Sequence, residues 1–333
     1  MGDVAMTVPV IKQLLIQYPG ISITFVSDIK FSALFENIPR LNFFGADIHG
    51  KYNGFKGLLN LFNELKKINN ITAVADLHDV LRTKVLSFLF QSAGKKVAHI
   101  DKGRKEKKAL TRKHNKKFVP LRSTFQRYAD VFTALGYPVH IQTTQQRIKL
   151  SANNAVQQLL NNSNNIKIGV APFGKHKEKT YPIEEMKKVI AGLSNKNYTL
   201  FLFGGSNDRM QFEAWEKQFT NVVNMAGRLS FKEELELISN LHLMVSMDSA
   251  NMHLASLYAM PVVSVWGATH PFAGFYGFGQ NPANAVQEEL YCRPCSVFGN
   301  KPCYRGDWAC MQTISPQQII SKIEYVLNNS GND

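Results

Sequence analysis

"MVSMDSANMHLASLYAMPVVSVWG", Met244 to Gly267, is the stretch that decides the fold. An apolar run ends at Asp248-Ser249, a short helical period carrying His253 follows, and a second apolar run opens at Pro261. Runs of this kind, separated by one helix-length period, are the pattern of parallel strands buried on both faces with a helix crossing back between them. Asp248 or Ser249 is expected to cap a helix running to Ala259, so that its first N–H groups face any anion bound beyond the strand ends. The competing reading is ordinary capping beside a histidine satisfied in the core.

The same alternation extends through the chain. In the first half, "ISITFVS", "ITAVADL" and "KKVAHI" read as strands, with helices over Thr7–Tyr18, Phe55–Ile68 and Val80–Gln91. In the second, "IKIGVAP", "YTLFLFGG", "VVNMAG", "LHLMVSM" and "PVVSVWG" read as strands, and Ser230 to Glu233 forms a capping box for a helix ending at Asn240. The Asn-rich "LSANNAVQQLLNNSNN" reads as a linker around residues 150–165. The expected fold is α/β, with two Rossmann-like, doubly wound domains over residues 1–155 and 156–333 and a cleft between them. Ligands of such sheets bind beyond the strands' carboxyl ends. That rule selects Ser27-Asp28, Asp76, Pro172 to Lys179, Gly204-Gly205, Gly227-Arg228 and Asp248 to His253.

Composition narrows the class. A hydrophobic content of 44% with 19% charged residues fits a globular chain with a full core. No apolar run reaches the ~18 residues of a membrane span. "MGDVAMTVPV" lacks the charged and apolar regions of a signal peptide, so a cytoplasmic address is expected. The net charge is +14, and residues 1–150 hold 24 Lys+Arg against 10 Asp+Glu. Nine basic residues and one acid fall in Lys102 to Lys117. That segment reads either as a solvated loop or as a face for an anionic partner, such as a phosphorylated glycolipid or a membrane surface. No aromatics interleave with the lysines, which counts against a nucleic-acid platform.

At this point the sequence resembles glycosyltransferase family 9, the lipopolysaccharide heptosyltransferases. "MDSANMHLASLYAMPVVSVWGATHP" is similar to that family's D-[ST]-G-x-x-H-L-A signature with its following Pro, apolar strand and G-x-T. "GDVAMTVPVIKQLLIQYP", "VADLHDVLRTKVLSFL", "FGKHKEKTYP" and "CRPCSVFGNKPCYRGDWACMQTISPQQI" resemble further family segments in family order. The resemblance implies an inverting transferase of GT-B fold, with an acceptor-binding N-terminal domain and a C-terminal domain holding an ADP-sugar. It implies Asp3 as general base on the acceptor hydroxyl, and Lys179 as the cation facing the developing charge on the diphosphate. Asp248, Ser249, Ala250 and His253 match the donor motif, and Met225 and Gly227 would line the adenosine. Asp76, Arg82 and Lys84 fall to the acceptor side. No metal or cofactor is required; the implied partners are the ADP-sugar, an anionic lipopolysaccharide-core glycolipid and the inner-membrane surface, which the protein would meet peripherally.

Two departures stand out. Ala250 replaces the family glycine, which is tolerable where its φ stays negative. Family members carry an apolar strand before the G-D-V motif, and here that motif starts at Gly2. The expectation is an N-terminal sheet short of a central strand, with "ISITFVS" and "ITAVADL" flanking the gap and Asp3 on a poorly anchored turn. Cys292, Cys295, Cys303 and Cys310 follow C-x2-C-x7-C-x6-C and read either as a zinc set or as free or occasionally bridged thiols. Two rival functions remain open from sequence: a nucleotide-sugar epimerase of GT-B type, and a catalytically impaired relative that binds polyanions or nucleotide-sugars.

Overall fold

The computed structural model describes residues 1–68, 71–162 and 164–329. The strands are β1 (Ile23–Ser27), β2 (Leu41–Gly45), β3 (Ala73–Asp76), β4 (Lys96–His99), β5 (Ile166–Ala171), β6 (Tyr198–Leu202), β7 (Val222–Asn224), β8 (Leu243–Met247), β9 (Val262–Trp266) and β10 (Ala285–Gln287). The helices are α1 (Gly2–Gln17), α2 (Gly54–Lys66), α3 (Leu81–Ser92), α4 (Arg104–Leu110), α5 (Thr124–Leu135) and α6 (Asn154–Asn161). They continue with α7 (Ile183–Ser194), α8 (Arg209–Gln218), α9 (Phe231–Asn240), α10 (Ala250–Ser256), α11 (Ala309–Gln312) and α12 (Pro316–Asn329). Packing divides the chain into one unit of Asp3–Arg104 with Arg122–Gln142, and a second of Lys105–Leu121 with Thr143 onward.

The second unit is built on a six-stranded parallel sheet of order β10-β9-β8-β5-β6-β7. In chain order within the unit this is 3-2-1-4-5-6, the doubly wound arrangement whose direction reverses between its first and fourth strands. Those strands are β5 and β8, paired with Val170 opposite Val245 and Ala171 opposite Ser246. Every residue of β8 and β9 is buried, as β-branched and apolar runs covered on both faces require. Ile168, Val189, Ile190, Leu200, Val245, Val263 and Ile323 join in one cluster, each worth about 1.5–3 kcal/mol of transfer out of water.

The first unit has no continuous sheet. β1 pairs in parallel with β2, and β3 with β4, as two separate two-stranded sheets. Neither β1 nor β3 gains a second partner strand among the described residues. "LNFFG", unassigned from sequence, is β2; five residues with Asn42 and Gly45 among them are too few to show a period. Helix α1 begins at Gly2 rather than Thr7 and carries Pro9 in its interior. Burial of Ala5, Met6, Val8, Val10 and Ile11 outweighs the ~3 kcal/mol penalty of an internal proline. Asp3 therefore lies in a helical first turn, not on a loose one, and its carbonyl accepts from Tyr128 Oη at 3.3 Å.

Three further expectations need correction. The stretch read as a linker contains α6, started by Asn153, whose side chain accepts from Val156 N at 3.0 Å. Asn153 is tied to α9 through Glu236 and Glu233, and Val156 is fully buried, so the segment is packed against the second unit. The unit boundary accordingly falls at Gln142–Thr143 rather than near residue 155. The basic segment, counted with the first half by sequence, groups from Lys105 with the second unit.

Candidate functional site

The loops after β5 and β8 meet at the reversal point of the six-stranded sheet. From the first, Lys179 extends Nζ to within 2.8 Å of Asp248 Oδ2, which comes from the second. Both side chains are largely buried, at 15% and 6% exposure, so this is an ion pair held out of bulk water rather than a surface contact. Local chemistry places each partner. Residues Lys177–Lys179 form a short 3-10 turn, and Thr180 Oγ1 accepts from Gly174 N at 3.1 Å to close the loop on itself. Ala268 N, just beyond β9, donates to Glu178 O at 3.3 Å.

The lysine stem runs between two glycines. A Cβ on Gly174 would lie 3.0 Å from Lys179 Cβ, and one on Gly299 would lie 2.2 Å from Lys179 Cγ. Gly299 also has φ +69°, which favours glycine on backbone grounds. Sequence reading missed Gly299 because nothing local marks it: the constraint is a side chain far away in the chain. Its positive φ is signalled only by the "FGN" turn composition.

The donor motif departs from its expected detail. Ser249 occupies the N-cap position, but its hydroxyl does not cap the helix; it pairs with Ser246 Oγ at 3.0 Å. Helix α10 ends at Ser256 rather than Ala259, and Ala259 takes φ +52° in the turn that follows. Ala250 opens the helix without positive φ, so the methyl is accommodated. His253 is buried in α10. Met225 is buried after β7, whereas Gly227, with φ +72°, is exposed there. Because β7 is three strand positions from β8, these residues stand roughly 14 Å from the Asp248 loop along the sheet edge.

In the first unit, Asp76 is buried at the end of β3 and its oxygens are occupied. Oδ1 accepts from His78 N and Asp79 N, and Oδ2 from Thr83 Oγ1, with His99 Nδ1 at 3.2 Å. Asp79, not selected from sequence, is the residue that meets Lys84 at 3.3 Å and Arg104 at 2.8 Å. Asp76, Asp79 and His99 are the described trio whose ligand atoms lie within 4.8 Å of one another. Protein donors already answer their oxygens, so a cation is not needed to explain them. Arg82 stands on α3 half-buried, one residue from its start.

The basic segment does structural work. Lys116 Nζ donates to Cys292 O and Pro294 O, both at 2.8 Å, and Leu121 N to Phe272 O. Lys107 lies over the Phe275 ring and Lys113 over Tyr304. Arg104, Lys105, Lys108, Arg112 and Lys117 stay exposed. Among the described residues no helix is long and apolar enough to cross a membrane.

The family model described as glycosyltransferase family 9 (heptosyltransferase) matches residues 59–302. A lipooligosaccharide heptosyltransferase 2 of Campylobacter jejuni is 23% identical over 340 residues, covering 99% of this chain and 96% of that one. The lipopolysaccharide core heptosyltransferase OpsX of Haemophilus influenzae is 25% identical over 278 residues, covering 81% and 77%. Among solved structures, a family 9 glycosyl transferase of Veillonella parvula superposes with TM-score 0.76 at 20% identity, covering 99% and 95%. Heptosyltransferase WaaC of E. coli, with ADP, superposes with TM-score 0.64 at 16% identity, covering 98% and 96%. The likeness is of fold, and the fold class is that of the GT-B glycosyltransferases. With a reversal-point ion pair in a doubly wound sheet and a family match across most of its length, this chain belongs to glycosyltransferase family 9.

Proposed function

We propose that the protein is an inverting glycosyltransferase that moves a heptose from an ADP-sugar to a hydroxyl of a lipopolysaccharide-core acceptor. The observation that carries this reading is the buried Lys179–Asp248 pair at the sheet's reversal point. A donor diphosphate entering there meets a pre-placed ammonium and the chain turn Ser249–Asn251. Asp248 holds that ammonium in place before substrate arrives. The edge from Asp248 to Gly227 has a length suited to a nucleoside diphosphate lying along the strand ends. Family membership and relatives named as heptosyltransferases support the sugar and the acceptor class.

In this reading, Asp3 takes the proton from the acceptor hydroxyl as that oxygen attacks the anomeric carbon. The bond to the diphosphate breaks on the opposite face, and Lys179 meets the charge that grows on the leaving oxygen. Arg82 and Lys84 supply positive charge for an anionic acceptor, with Asp76 ordering the turn that carries them. The exposed cations of Lys102–Lys117 bring the protein to an anionic membrane surface, where it works as a peripheral protein.

The test is donor turnover with ADP-heptose and a core acceptor, beside ADP titration. Replacing Lys179 by Ala is expected to cut turnover 100-fold or more, about 2.7 kcal/mol, while weakening ADP binding much less. Equal losses in both would remove the transition-state role. Turnover of a UDP- or GDP-sugar in preference to ADP-heptose would overturn the donor assignment.

A further inference from the structure

The cysteine-bearing segment is not used by the reaction above, yet it frames the lysine that is. Residues 288–308, between β10 and α11, hold no helix or strand. Irregular stretches beyond about 12–15 residues are uncommon in compact domains unless something fixes them or they serve a function. This one contributes Gly299 to the passage of the Lys179 stem, so its position has consequences for the donor site.

All four of the chain's cysteines line a single small cavity, together with Glu178, Ala268, Arg293 and the paired Arg305 and Asp307. Cys292 and Cys310 are buried, and Cys295 and Cys303 half-buried. The first two thiols, spaced C-x2-C, sit on a turn clamped beneath β9: Cys295 N and Ser296 N both donate to Ala268 O, at 3.0 and 3.2 Å. Their local order is therefore set before any bond between the sulfurs.

The charges around the cavity are the second observation. Arg293 is 4% exposed, and every hydrogen bond it makes goes to a neutral oxygen: the carbonyls of Gly267, Thr269 and Glu288, and Gln287 Oε1. Lys116, half-buried, likewise donates only to the carbonyls of Cys292 and Pro294, within the C-x2-C turn. Two cations that hydrogen-bond no carboxylate, one of them deeply buried with Glu288 acting on it only at longer range, are costly beside neutral thiols. A divalent ion on four thiolates carries a net charge of −2 and answers both.

We propose that Cys292, Cys295, Cys303 and Cys310 bind one thiophilic divalent cation as a tetrathiolate centre that staples residues 288–310 around Lys179. Each ligating thiol gives its proton to solvent, four per ion, and no electron moves. The sulfurs are not drawn together here, since among the described residues only Asp76, Asp79 and His99 form a trio within 4.8 Å. Loading draws them to about 2.3 Å from a shared centre, a closure the irregular loop permits and a strand would not. The donor-site consequence rests on the proposed role of Lys179; the metal site itself does not.

The full-length protein, purified under reducing conditions without chelators, is analysed for metal, then stripped and titrated with Co2+. The expected result is one ion per chain, and thiolate-to-cobalt charge-transfer absorption with tetrahedral d–d bands. Cys303→Ser should weaken Co2+ binding at least tenfold, and Cys303→His should keep it with an altered spectrum. If the variants fail to fold, the wild-type titration still decides. Metal-free protein with four titratable thiols and no cobalt spectrum overturns the proposal, as do two disulfides in the reduced preparation. Metal bound with Lys179-dependent turnover indifferent to stripping removes the staple role alone. A metal-loaded protein inactive on every ADP-sugar sinks the transferase reading and leaves the site standing.

Discussion

At the scale of single residues, the proposed donor site depends on what is missing as much as on what is present. Lys179 is legible as a residue following a strand, and Asp248 as the end of an apolar run. That the two form one pair is not legible, since it requires the loops of β5 and β8 to be neighbours. Gly299 shows the same limit, because its importance is a stem from another loop passing where a Cβ would be. Gly299→Ala is expected to cost about 1–3 kcal/mol in a denaturant melt and to cut donor turnover at least tenfold. Gly306→Ala is the control: φ there is +79° but nothing lies within 4 Å of the added methyl. It should show a strain penalty of about 1–2 kcal/mol without the loss of turnover. Equal turnover in the two variants would show that displacing the Lys179 stem is not what matters.

At the scale of elements, local signals worked where they were strong and failed where burial decided. The Ser230–Glu233 capping box predicts the start of α9, and the structure has both reciprocal bonds, Glu233 N to Ser230 Oγ and Ser230 N to Glu233 Oε2. Asn-rich composition suggested a linker at 150–165, but asparagine is also a good N-cap, and Val156 supplies the buried anchor. Asn153→Ala is expected to destabilise the protein by about 1 kcal/mol, read as a shift of the urea midpoint. No shift would mean that α6 contributes nothing to cooperative folding. Glu234, in the first turn of α9, is pushed up to about 7 by burial. Its folded value lies above the unfolded one, so the protonated form is favoured on folding. The associated stability is present below about pH 4.5 and is lost as pH rises through 7. Glu234→Gln should therefore be more stable than wild type at pH 8, by about 1–2 kcal/mol after the helix N-terminus has offset part of the penalty, and nearly equal at pH 4. A difference that does not change between those pH values would exclude a titration origin.

At the scale of the whole molecule, ADP should act through the second unit. Saturating ADP is expected to raise the melting temperature, with about 2.7 kcal/mol of added stability at 100 times its Kd. Asp248→Ala should lose only a small part of that shift, since the ammonium it holds acts on the leaving group in the transition state more than on bound ADP. A shift abolished in the variant would count against that transition-state role. The charge map also changes at this scale. The +14 excess counted in the first half of the sequence is not confined to the first unit, because Lys105–Leu121 packs with the second. Neutralising the exposed Lys105, Lys108, Arg112 and Lys117 should reduce sedimentation with anionic vesicles at low salt and leave ADP affinity unchanged. Full retention on vesicles would end the membrane role of this segment.

Sequence by itself determined the class of fold, the strands of the six-stranded sheet apart from the three-residue β10, and the loops proposed to carry the donor chemistry. Those features follow from short-range patterns: buried β-branched runs, capping residues, and a motif contiguous in the chain. Tertiary structure alone decided which strands are neighbours, that β1–β2 and β3–β4 remain separate pairs, and that Lys179 meets Asp248. It also decided that a basic stretch beside the first unit in sequence packs with the second, and that four cysteines share one cavity with the buried Arg293. Strand order, stem packing and charge compensation are interactions between residues remote in sequence. Their energies depend on distance in space, which no local pattern encodes.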